Sequence, residues 1–146
     1  MKIESTSFAH NGEIPTAYTC QGENVSPALI FSDVPESAKS LALIVDDPDA
    51  VHPIWTHWTI FNMDPKTPGI PEGEIPDKAT EGITSFGKIG YGGPCPPSGK
   101  HRYFFKLYAL DKILDLDKNA LKEDIEKEMS GHILASAELM GLYQKI

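Results

Sequence analysis

Apolar positions along this 146-residue chain fall in short runs broken by turn residues, and a helical repeat appears only near the C-terminal end. Residues 3–8 alternate and predict a first strand. The runs 28–31 and 41–45 sit between turn formers and predict buried strands, with a further strand over 58–63. Between positions 64 and 82, Pro65, Pro68, Pro71, Pro76 and three glycines permit only loop and short extended pieces. So long a loop in a compact fold has a functional use or serves as a solvated crossover, and its residues do not choose between the two.

A Gly- and Pro-rich loop, 90–99, then leads into an aromatic strand over 103–110. Downstream, Leu121, Ile125 and Met129 recur at four-residue spacing, with Lys122, Glu123, Glu126 and Lys127 between them. Positions 117–131 therefore predict an amphipathic helix capped by Asp117 and ended by Gly131. A second short helical turn is expected over 133–137 and a last strand over 139–143. Strands first and helices last do not suit a βαβ parallel sheet. The predicted fold class is mainly β, an antiparallel sandwich with helices at its C-terminal end, in one domain covering 1–146.

Thirteen Lys and Arg against 21 Asp and Glu give a net charge of −8. That balance argues against a nucleic-acid partner, whose phosphates need a basic surface, and against adhesion to an anionic membrane. No run of about 18 apolar residues exists, so no stable membrane insertion is expected. The N-terminal residues turn polar too early for a secretory signal, and the expected compartment is cytoplasmic. Cys20 and Cys95 stand far apart and form no CxxC pair, which fits free thiols in a reducing cytoplasm better than a disulfide framework.

Candidate chemistry gathers where loop 90–99 meets the strand. Glycine lets a backbone approach a ligand closely, and proline stiffens the loop that does so. His101 and Tyr103 are two apart on a strand and so share a face, while Arg102 lies on the other and is expected in a structural ion pair. His101 is expected at the strand's exposed end. Asp47 and Asp49 flank Pro48, which from the residues alone is turn chemistry before it is a site. His57, between Thr56 and Trp58, reads first as a half-buried side chain, and His10, His52 and His132 as structural or exposed. One of Trp55 and Trp58 is expected to fill the core and the other can wall a pocket.

Three segments together carry a family resemblance. Asp46-Asp47-Pro48-Asp49-Ala50, then Trp55-Thr56-His57-Trp58, then Gly93-Pro94 through His101-Arg102-Tyr103 resemble the phosphatidylethanolamine-binding proteins, the group that includes the Raf kinase inhibitor proteins. Tyr91-Gly92-Gly93-Pro94-Cys95-Pro96-Pro97 and the compact C-terminal segment resemble its bacterial and archaeal branch. The family pattern has Pro after the Ala of its Asp-Pro-Asp-Ala motif, and here Val51 stands there. The resemblance implies a large central antiparallel sheet, a smaller second sheet and C-terminal helices on one side. It also implies a cis bond in the Asp47–Pro48 motif, a homodimer, and a ligand pocket drawing on Asp47, Asp49, His57, Gly93, Pro94, His101 and Tyr103.

Two imidazoles, a phenol and the N–H groups near Gly92 and Gly93 would form a donor-rich hole for a compact anion such as phosphate or the phosphoryl head of a lipid or peptide. The expected function is a non-enzymatic binding and regulatory module, with a protein kinase or protease as implied partner. Neither a cofactor, a metal nor a catalytic residue is expected. The alternatives are a hydrolase or a metal-dependent enzyme using Asp47, His57 and His101. The first lacks a nucleophile beyond Ser98 and Cys95, the second any ligand spacing of a known kind.

Overall fold

The computed structural model describes residues 1–51 and 54–146, so His52 lies outside the described residues. The strands are β1 (Lys2–Glu4), β2 (Gly12–Glu13), β3 (Leu29–Ser32), β4 (Ser40–Asp47), β5 (Trp55–Met63), β6 (Gly69–Ile70), β7 (Thr80–Glu81), β8 (His101–Leu110) and β9 (Ile133–Tyr143). A helix, α1 (Lys122–Met129), precedes the last strand. The fold is mainly β in two sheets, one of three strands in the order β1-β3-β6 and one of six in the order β2-β9-β8-β4-β5-β7. Pairing is antiparallel throughout, except that β2 runs parallel to β9.

β4 lies at the centre of the large sheet, and all eight of its residues are buried. Its continuous apolar run has no alternation because both faces are covered. Leu41, Leu43 and Val45 face the small sheet and pack with Ile3, Phe31 and Ile70. Ala42 and Ile44 face the other way, onto Leu114, Ile125 and Met129 in and before α1. The 64–82 connection contains β6 and β7, one in each sheet, which makes it the crossover between them.

Several expectations are corrected. Strand β1 ends at Glu4, because the Ser5 hydroxyl turns back to the Ser7 N–H and the Ala28 carbonyl. β5 begins at Trp55 rather than at position 58, since Thr56 and His57 are buried polar residues that break the apolar pattern. α1 starts at Lys122, not after an Asp117 cap: Asp117 accepts the Asn119 N–H in a turn, and the Asp124 carboxylate takes the Leu121 N–H. Leu121 is exposed, so the buried apolar side chains of the helix are Ile125 and Met129. The helical turn expected over 133–137 is strand, because pairing with β8 along β9 overrides the helix preference of Leu134, Ala135 and Ala137. Among the described residues a single α-helix therefore stands where the plural was expected, and a strand follows it. Asp47–Pro48 is trans, with the chain reversed by the Asp47 carboxylate accepting the Asp49 N–H at 2.8 Å.

The free-thiol expectation is also overturned. Cys20 and Cys95 form a disulfide across 75 residues, their Cα atoms 5.5 Å apart. Sequence separation hid a proximity that exists only once loop 90–99 lies on the segment near Thr16–Tyr18. The cysteine argument for a reducing compartment falls with it. Among the described residues, no helix is long and apolar enough to cross a membrane.

Leu107 is completely buried in the inter-sheet core, whereas Tyr108 is half-buried on the helix face. Leu107→Ala is therefore expected to cost about 2–5 kcal/mol in urea unfolding and Tyr108→Ala clearly less. Equal losses would contradict this division of the core.

Candidate functional site

The end of β4 and the starts of β5 and β8 meet at one margin of the large sheet. Asp47, His57, His101 and Tyr103 line a cavity of about 270 Å³ there. Trp55, Phe86, Pro96 and Pro97 form its apolar walls, Ala50 and Val51 contribute beside the Asp47 turn, and Cys95 also lines it.

His57 reaches this cavity through a β-bulge. Val45 pairs with Trp58 and Asp46 with Thr56, so His57 has no partner on β4. The extra residue restores His57 to the side occupied by Trp55 and Asp47, while Trp58 stays in the core with its indole N–H on Glu81 at 2.7 Å. The His57 Nδ1–H donates to the Gly92 carbonyl at 2.7 Å, and the Gly92 N–H donates to the His57 carbonyl at 3.0 Å. A carbonyl only accepts, so in the neutral ring Nε2 carries the lone pair. Burial pushes the His57 imidazole below its ordinary value, against the raising effects of the Gly92 carbonyl and the Asp47 carboxylate.

His101 is not at an exposed strand end: it is buried, and its Nδ1 lies 2.7 Å from Asp47 Oδ2. Asp47 fixes this ring's orientation and leaves Nε2 for the cavity. Both Asp47 oxygens are occupied, one by His101 and one by the Asp49 N–H, so Asp47 positions other groups more than it offers itself.

Tyr103 shares the face of His101, its ring 6.4 Å from that imidazole and 5.2 Å from His57, edge-on to the latter. It is 1% exposed, and its hydroxyl has no hydrogen-bond partner. Burial, with the Asp47 charge second, raises its pKa far above that of an ordinary phenol, so the hydroxyl remains a donor.

Asp49, Gly93 and Pro94 do not line the cavity. Asp49 accepts from Arg102 Nη2 at 2.9 Å, from Nε at 3.0 Å and from the Arg102 backbone N–H at 2.9 Å, and those bonds hold its carboxyl below the usual range. The N–H groups expected to bind an anion are also taken: Gly92 by His57 and Gly93 by the Asn24 side chain at 2.8 Å. Gly93 is needed for close approach, since a Cβ there would strike the Tyr18 carbonyl and the Asn24 side chain. Pro94 accepts the Cys20 N–H at 3.1 Å, and the Tyr91 hydroxyl donates to the Tyr18 carbonyl at 2.7 Å. Loop 90–99 is thus fastened to the N-terminal segment by hydrogen bonds as well as by the disulfide. Phe86 is the wall residue the sequence analysis missed; its only signal was an aromatic between Ser85 and Gly87 in a turn. Among the described residues, no group of three His, Cys, Asp or Glu is placed to hold a metal ion.

Comparison with known proteins agrees on one family. A family model described as phosphatidylethanolamine-binding protein matches residues 4–144. A UPF0098 protein of Methanothermobacter thermautotrophicus is 52% identical over 99% of both chains, and one of Chlamydia muridarum 46% over the same shares. A crystal structure from Chlamydia trachomatis, described as a phosphatidylethanolamine-binding protein homolog, superposes with a TM-score of 0.94 at 46% identity, covering 99% of this chain and 97% of its own. Escherichia coli YbcL, described as a new member of the mammalian PEBP family, gives 0.94 at 31% identity, covering 99% and 98%.

Removing the His101 ring leaves Asp47 buried without its partner. His101→Ala is expected to lose about 3–5 kcal/mol of stability, read from the urea midpoint at constant slope. An unchanged midpoint would show that water replaces the imidazole freely.

Proposed function

The chain belongs to the phosphatidylethanolamine-binding protein family, and from that membership we propose that it is a non-enzymatic binding module whose cavity takes a phosphoryl-type oxyanion. The Tyr103 hydroxyl carries this reading: a buried donor with no partner, opening onto a cavity, is satisfied by an acceptor brought in from outside. His101 Nε2, with Nδ1 held on Asp47, supplies a second polar contact in the cavity. His57 supplies a third on protonation, when Nε2 exchanges its lone pair for an N–H. The apolar walls lower the local dielectric around these contacts and strengthen them. Regulation of a protein kinase or a protease through the cavity belongs to the same proposal and rests on the family resemblance alone.

The hydrolase alternative has less support. Ser98 is exposed and does not line the cavity, and Cys95 is held in a disulfide, so among the described residues the Asp47–His101 pair has no free serine or cysteine nucleophile beside it. Non-reduced protein is therefore expected to turn over chromogenic ester and phosphate substrates no faster than buffer. Turnover surviving repurification and lost in His101→Ala would overturn the binding-module reading.

The pH dependence tests the anion reading directly. Sulfate keeps its charge across the range, so changes in its affinity report the protein. Because burial lowers the His57 value, its protonation, and the gain in affinity, come only below about pH 6.5. Titration calorimetry is expected to show affinity rising as pH falls below that point in the native protein but not in His57→Gln. Tyr103→Phe is expected to weaken sulfate about tenfold at every pH, the loss of one hydrogen bond to an anion. Unchanged affinity in Tyr103→Phe would refute the proposal.

A further inference from the structure

We propose that the Cys20–Cys95 disulfide masks a second chemistry in this cavity: a dithiol reductant opens it and leaves Cys95 as an activated, modifiable thiol in the cavity that the two imidazoles line. Cys95 lines the same cavity as Asp47, His57 and His101, and both cysteines are exposed residues that a small thiol can reach. Tyr103, whose ring is flanked by both imidazoles, lines that cavity too.

Reduction balances as ordinary thiol–disulfide exchange. The reductant's first thiolate attacks Cys95 Sγ, and the Sγ–Sγ bond breaks with its electron pair leaving on Cys20. The reductant's second thiolate then displaces Cys95 from the mixed disulfide. The dithiol is oxidised to its own disulfide, and two electrons and two protons pass to the cysteines.

Cutting the covalent bond does not release the loop. Pro94 still accepts the Cys20 N–H, Tyr91 still donates to the Tyr18 carbonyl, and the Gly93 N–H still meets Asn24. Cys95 therefore stays in the cavity after reduction. There it joins His101, which Asp47 holds through Nδ1 at 2.7 Å with Nε2 free, the order of parts that activates a thiol nucleophile. Cys20 lines no part of this cavity and serves as the internal reference.

The inference does not depend on what the cavity binds, and its test reads sulfur chemistry alone. The full chain is reduced with dithiothreitol without denaturant, freed of reductant under argon, and alkylated with iodoacetamide across a pH series, each cysteine being followed by peptide mass. The expected result is that neither cysteine reacts before reduction. After it, the Cys95 rate profile has its midpoint at least about one pH unit below that of Cys20. His101→Asn is expected to abolish that displacement while leaving Cys20 unchanged. Resistance to native reduction, or coincident profiles for the two cysteines, would overturn the proposal. If His101→Asn fails to fold, the comparison of the two cysteines in the native sequence decides alone.

Discussion

The bond between Asp47 and His101 is the constraint around which the functional margin is arranged. β4 is buried on both faces, so a carboxylate at its end cannot remain uncompensated in that medium. Asp47 and Asp46 face opposite sides and solve the problem differently. Asp46 draws Lys106 and Lys122 to one oxygen, at 3.3 and 3.1 Å, on the helix side of the sheet. Asp47 takes an imidazole and a backbone N–H on the side where the cavity opens. The first solution ties α1 to the sheet; the second holds a titratable ring at the cavity wall.

The rest of the cavity follows from keeping those groups still. The His57 bulge turns that side chain out of the strand's alternation, and the paired His57–Gly92 hydrogen bonds lock ring and loop together. Loop 90–99 is held in turn from behind by the segment that carries Tyr18, Cys20 and Asn24. Because the Gly92 and Gly93 N–H groups are consumed in this fastening, the unpartnered donor at the cavity is a side chain, the Tyr103 hydroxyl. The loop builds a wall and does not itself form an oxyanion cradle.

Much of this protein was legible in its residues. Short apolar runs between turn formers fix where buried strands lie, and the period-two geometry of a strand puts His101 and Tyr103 on one face and Arg102 on the other. The three motif segments were enough to indicate the family and its two-sheet architecture. What the tertiary structure alone decided are the matters set by pairing across the chain. The sequence 133–137 prefers helix, yet β8 offers partners to all of it but Leu134 and makes it strand. His57 faces the cavity because of a register slip against β4, a property of two strands that neither shows by itself. Gly93 and Asp49 look like ligand contacts until folding brings Asn24 and Arg102 to them first. Cys20 and Cys95, 75 residues apart, become neighbours because two loops pack together. Local sequence determines which groups can do chemistry; long-range contacts determine which of them are already satisfied and which remain free.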